Sequence, residues 1–156
     1  GDFPNIEMNT VPHIALVEFI EKAIIETGAT HVYTHHPFDL NDDHKQVSNA
    51  CQAAVRLFQR RHDIVPLEGF YYVEIPSSTD WSFNTGSSAF SPTGFFEIGE
   101  EGVKRKIQAL SAYKDVMRDY PHPRSEEALY SLAVLRGAQS GMKYAEAVQV
   151  VFEKLK

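Results

Sequence analysis

The sequence predicts an α/β fold in three layers, a partly parallel sheet flanked by helices, formed as one domain over residues 1–156. Three observations carry that prediction. His31-Val32-Tyr33-Thr34 and Gly69-Phe70-Tyr71-Tyr72-Val73-Glu74-Ile75 are short runs rich in β-branched and aromatic residues, which read as strands. Apolar residues recur at three-and-four spacing before and after these runs, which is the stripe of a helix. The polar residues from Thr34 to His44 lie between a strand's carboxyl end and the next helical pattern, where open α/β sheets usually hold their ligands. The whole pattern predicts about three or four strands and about five helices.

Residues 1–9 are polar and turn-like. Thr10 offers a helix cap, and Pro12 is tolerated in a first turn, where a missing N–H does no harm. Ile14, Val17, Phe19, Ile20, Ala23, Ile24 and Ile25 form a wide apolar face that Gly28 ends, giving a crossover helix into the strand at His31. Asp42 or Asp43 caps the next helix, whose apolar face is Val47, Ala50, Cys51, Ala54, Val55, Leu57 and Phe58. Arg60 and Arg61 at its end complement the helix dipole.

Pro76 stops the strand that starts at Gly69. Residues 77–94 are dense in Ser, Thr, Gly and Asn, and so long an irregular loop usually serves a function. Its Trp81, Phe83 and Phe90 either form a local core or line a sugar-binding wall. A short strand, Gly94 to Ile98, precedes a helix striped by Val103, Ile107, Leu110, Tyr113, Val116 and Met117. Ser125 caps a further helix through Leu129, Leu132, Ala133 and Leu135, with Gly137 as its C-cap. Ala147, Val148, Val151 and Phe152 are spaced as a last helix from Tyr144 to Leu155, with Arg136 and Glu146 as ion-pair partners nearby.

The chain is 43% hydrophobic, enough for a real core, and its formal charge of -6 argues against an electrostatic footprint for nucleic acid. One cysteine, Cys51, excludes an internal disulfide and reads as a small core residue. No apolar run is long enough to span a bilayer and no signal-peptide pattern is visible, so the expected location is the cytoplasm.

The chemistry is expected in the loop from Thr34 to His44. His44 falls in the first turn of a helix, where the dipole favours neutral imidazole, the form that binds a metal. A nearby carboxylate would fix its tautomer. The plainer reading makes Asp42 and Asp43 caps and the histidines polar loop residues.

Thr34-His35-His36-Pro37 followed by Asp39-x-Asn41-x-Asp43-His44 resembles the second conserved motif of the LmbE-like (PIG-L) zinc-dependent de-N-acetylases. Later segments resemble the same family in the same order: Pro76 to Phe83, the Lys106-x-x-Ala109-Leu110-x-x-Tyr113 helix, Tyr120-Pro121-His122-Pro123-Arg124-Ser125, and Arg136-Gly137 before Lys143 to Ala147. The resemblance spans nearly the whole chain. It implies a Rossmann-like fold, one zinc ion, and hydrolysis of the N-acetyl group of an amino sugar or its conjugate.

By this resemblance His44 aligns with the family's third zinc ligand, and Asp43 would support it. Asn41 stands where relatives carry a histidine acid; an amide can only hydrogen-bond to substrate. The acid role would then move to His35, His36 or His122. His122 lies in a segment near the family's active-site mouth, though between two prolines it also reads as part of a rigid turn. His35, His36, Asp39, Trp81 and Arg124 are the candidates for substrate contact. The family's first motif, His-Pro-Asp-Asp-Glu, supplies two zinc ligands and the general base and has no counterpart here. The expectation is therefore the C-terminal part of a longer domain, with apolar surface left for an oligomer partner. The alternative is a non-catalytic relative that acts as a binding or assembly module.

Overall fold

The computed structural model describes residues 1–83 and 85–155. Helix α1 (His13–Thr27) starts directly after Pro12 and ends at Gly28, whose φ of 62° is the left-handed conformation a C-cap needs. Thr10 does not cap it; its hydroxyl instead donates to the carbonyl of Glu7. Strand β1 (His31–His35) follows, then helix α2 (Asp42–Ala54) and the single turn α3 (Leu57–Arg60). The expected helix from His44 to Phe58 is thus two pieces.

Strand β2 (Gly69–Val73) pairs in parallel with β1, from His31 opposite Gly69 to His35 opposite Val73. Strand β3 (Gly94–Glu97), helix α4 (Gly99–Ser111) and helix α5 (Glu126–Ser140) complete the middle of the chain. Ser125 caps α5 as expected, its Oγ accepting the N–H of Ala128 at 3.1 Å. The helix runs past Gly137 and stops at Gly141, φ 72°.

The last element corrects the sequence reading. Ala145–Glu153 is a strand, β4, and not a helix. It lies between β2 and β3, antiparallel to both, in a sheet of order β1-β2-β4-β3. The first half of β4 is covered on both faces, since the adjacent Ala147 and Val148 are both buried, so it loses the polar alternation of a strand with one wet face and its apolar residues also match a helical spacing. Val148, Val150, Val151 and Phe152 are β-branched or aromatic, which fits the pleat. Val151 is the extra residue of a bulge, since Phe70 pairs with Phe152 and Tyr71 with Val150.

The mixed four-stranded sheet with flanking helices is the predicted α/β class. Its main core joins Leu16, Val17 and Ile24 of α1 and Ala50, Cys51 and Ala54 of α2 to Phe70 and Tyr72 of β2. Cys51 is buried there, and burial pushes its thiol pKa up, as for a core residue. Val103, Ala133 and Tyr144 form a second cluster under α4 and α5. Arg136 and Glu146 both make ion pairs, but with Glu74 and Lys106 and not with each other. Among the described residues no helix is long and apolar enough to cross a membrane.

Candidate functional site

The loop between β1 and α2 is built around Asp39, whose side chain is fully buried. Its Oδ1 accepts the backbone N–H of Asn41 at 3.2 Å, and its Oδ2 accepts the Thr79 hydroxyl at 3.1 Å. Nδ1 of His44 stands 3.2 Å from the same Oδ2, close enough for strong attraction but without in-line hydrogen-bond geometry. Burial alone would raise the pKa of Asp39. The contacts with His44, the Asn41 N–H and Thr79 outweigh it and hold the carboxyl below its usual range.

This arrangement shows what each neighbour does. Asn41, not Asp42 or Asp43, is the cap of α2: its Oδ1 accepts the N–H of Asp43 at 2.9 Å. The carboxylate of Asp43 turns away from His44 and accepts the N–H groups of Ile6 at 2.6 Å and Met8 at 3.0 Å, tying down the segment before α1. The carboxylate that faces His44 is Asp39. Its signal in the sequence was the aspartate five residues before the histidine and two before Asn41.

His35, at the end of β1, lies flat against His44, the ring centroids 4.0 Å apart and the planes within 12°. Burial, then the neighbouring His44, lowers its pKa from 6.5 to about 4, so it is neutral at physiological pH. Nδ1 of both rings is buried without a hydrogen-bond partner. His36 points the other way. It is 2% exposed, accepts the N–H of Phe38 on Nδ1, and meets Tyr72 and Phe90 edge-on at 5.7 and 5.8 Å, which makes it a core histidine out of a ligand's reach.

Thr79, which has no role in the sequence reading, links this cluster to the irregular loop. Two residues on, the half-exposed Trp81 meets His122 edge-on at 5.0 Å. Nδ1 of His122 accepts the N–H of Arg124 at 3.0 Å, a contact within the turn, while Nε of Arg124 is buried without a partner. Phe90 is part of the local core and Phe83 is almost fully exposed. A cavity of about 380 Å³ opens beside this second cluster, lined by Thr79, Asp80, Pro121 and Pro123 with Leu132 and Leu135 of α5. Burial raises the pKa of Asp80 at its edge.

A catalytic zinc ion takes three protein ligands and leaves one position open. Two imidazoles, His35 and His44, meet at the mouth of the loop, with Asp39 committed beneath. Among the described residues no group of three or more His, Cys, Asp or Glu is placed to hold a metal ion.

No family profile matches the sequence. No curated protein matches it either. Solved structures do. The fold is similar to that of a conserved protein of Thermus thermophilus (TM-score 0.68, 22% identity, 99% of this chain and 65% of that one). It is similar to the N,N'-diacetylchitobiose deacetylase of Pyrococcus horikoshii (TM-score 0.69, 13% identity, 96% of this chain and 55% of that one). It is also similar to the 4-carboxy-2-hydroxymuconate hydratase of Pseudomonas putida (TM-score 0.66, 17% identity, the whole of this chain and 64% of that one). The chain thus spans a little over half to about two thirds of the length of these structures, and it shares with a deacetylase and a hydratase one α/β fold.

Proposed function

We propose that this chain carries part of the active site of a zinc-dependent hydrolase that removes the N-acetyl group from an amino sugar or its conjugate. The observation that carries the reading is the buried carboxylate of Asp39 against Nδ1 of His44. A carboxylate there favours the tautomer with its proton on Nδ1, which leaves the Nε2 lone pair free for a metal, as in metal-binding histidines generally. The likeness to a diacetylchitobiose deacetylase supports the choice of substrate class. Trp81 offers an apolar ring face of the kind a pyranose stacks on, with His122 and Arg124 behind it.

The test has two parts. Zinc per chain is measured after dialysis for the wild type and for His44→Ala, and acetate release from N,N'-diacetylchitobiose is followed with added zinc. Bound zinc that His44→Ala abolishes, together with acetate release, is the expected result. Absence of zinc in the wild type overturns the reading.

A second reading is a binding or assembly module without catalysis. The lack of a three-ligand group among the described residues favours it. Saturable binding of an N-acetylated sugar with no acetate release, at any zinc concentration, would establish it.

A further inference from the structure

The parallel strands β1 and β2 send their carboxyl ends to the same edge of the sheet, where open α/β folds hold their ligands. The loop after β1 carries Asp39 and His44, and the chain after β2 carries Glu74 to Trp81. Two hydrogen bonds tie these segments together. The Leu40 N–H donates to the carbonyl of Ser78 at 3.2 Å, and the Thr79 hydroxyl donates to Asp39 Oδ2 at 3.1 Å. Thr79 is also a wall of the cavity of about 380 Å³ beside α5. The cavity thus shares a residue with the carboxylate that orients His44, and its volume falls in the roughly 300–1,000 Å³ range of small-molecule sites.

The lining decides what fits. Pro76, Pro121, Pro123, Leu132 and Leu135 make it largely apolar, and its two charged side chains, Glu74 and Asp80, are both acidic. Glu74 is already neutralised, because Arg136 holds it with two hydrogen bonds at 2.6 and 2.7 Å. Asp80 differs. Among the described residues no cationic side chain forms an ion pair with it. Partial burial raises its pKa, and the charge of Glu74 adds to the rise. A ligand cation at the rim would meet an uncompensated carboxylate. An anion would be repelled, with no basic side chain in the lining to offset Asp80.

We propose that this cavity holds the aglycone of the substrate and selects an apolar body that carries a protonated primary amine, with the ammonium on Asp80 and the hydrocarbon against the prolines and leucines. Only the link to the sugar rests on the hydrolase reading; the preference for an apolar amine follows from the lining alone. Aglycones that carry phosphate or carboxylate are the ones it rejects.

The experiment uses the full chain in chelator, without zinc, and three probes of one shape and different charge: cyclohexylamine, cyclohexanol and cyclohexanecarboxylate. Trp81, beside Asp80 and the single tryptophan of the chain, reports occupancy by its fluorescence, and ligand-observed NMR gives an independent reading. Cyclohexylamine should bind saturably and most tightly, the alcohol more weakly, and the carboxylate not at all. Asp80→Asn, at an exposed position, should weaken the amine by about two- to fivefold, the size of a partly exposed ion pair, and leave the alcohol unchanged. Ser131→Tyr puts a ring into the lining from an exposed position of α5 and should weaken both.

A second arm adds zinc and follows acetate release from the aminohexyl and carboxypentyl glycosides of N-acetylglucosamine. The aminohexyl glycoside should have the lower KM. No saturable amine binding by either method, a carboxylate bound as tightly as the amine, or an amine affinity that Asp80→Asn and Ser131→Tyr leave untouched each overturns this proposal while the hydrolase reading stands on its zinc test. Acetate release with equal KM for the two glycosides overturns the aglycone assignment. Amine binding with no acetate release from either glycoside overturns the hydrolase link and leaves the cavity as an amine site.

Discussion

Asp39 Oδ2 and His44 Nδ1 lie 3.2 Å apart, with the carboxylate fully buried and the imidazole 19% exposed. The carboxylate is held from three directions, by the Asn41 N–H, the Thr79 hydroxyl and His44. Asp39→Asn keeps the shape and removes the charge. It should cost about 1–3 kcal/mol, the usual penalty for spoiling a buried polar contact. The pH profile gives the sign. The Asp39 carboxyl is depressed below 3.8 in the folded chain, so its stabilisation is present above that value and is lost as pH falls through the lower, folded one. Urea unfolding at pH 7 and near pH 3 should show the difference between wild type and variant shrinking in acid.

His35 titrates in a different window. Its folded pKa of about 4 lies below the ordinary 6.5, chiefly because burial penalises the charged ring. Above pH 6.5 both states are neutral. Between 6.5 and about 4 only the unfolded chain takes up the proton, so stability falls with falling pH and the slope vanishes below that. His35→Phe, which keeps a ring beside His44, should remove the slope. Denaturation series from pH 7.5 to 4 in chelator would measure it, and an unchanged slope would refute the assignment to His35.

How far the site could be read ahead follows from whether a role depends on local or on distant chain. The loop's place after β1, the helix start near His44 and the cap at Ser125 are set by residues within a few positions, and the sequence predicts them. Asp43 could not be read that way, because the groups it binds belong to Ile6 and Met8, more than thirty residues earlier. Thr79 could not either, since it reaches Asp39 across forty. His36 looked like its neighbour His35, and only the packing of Tyr72 and Phe90 separates a core histidine from an accessible one. In β4 the burial of Ala147 and Val148 on opposite faces of the sheet removed the alternation that would have identified a strand.

Gly137 tests the packing of α5 on the turn into β4. A Cβ there would stand 2.7 Å from the carbonyl oxygen of Met142 and 2.8 Å from that of Lys143, both backbone atoms that cannot swing aside. Gly137→Ala should therefore destabilise by about 1–3 kcal/mol, despite alanine's better helix propensity. A rise in thermal midpoint would show that the turn can yield.

Glu74 and Arg136 form a two-pronged ion pair at 2.6 and 2.7 Å, with both side chains about 15% exposed. Arg136 also lies 5.9 Å from the centre of the Phe90 ring, which ties the pair to the ring against His36. Removing one partner leaves a largely desolvated charge, so Glu74→Gln or Arg136→Met should cost about 2 kcal/mol, discounted for partial exposure. The double variant Glu74→Leu/Arg136→Met should lose less than the two single costs added together. A double-mutant cycle by urea denaturation measures the coupling.

Asn41 separates a structural from a chemical role. Its side chain caps α2 through the N–H of Asp43, and Asp or Ser caps about equally well, whereas alanine costs about 1 kcal/mol. Asn41→Ser should therefore keep the thermal midpoint of the wild type, and Asn41→Ala should lower it by a few degrees. The same two variants bear on zinc binding, because the cap fixes the first turn from which His44 projects. If the cap is the whole role of Asn41, zinc affinity should follow stability, unchanged in the serine variant and reduced in the alanine one. A serine variant as stable as the wild type that nonetheless lost acetate release would instead place the Asn41 amide on the substrate.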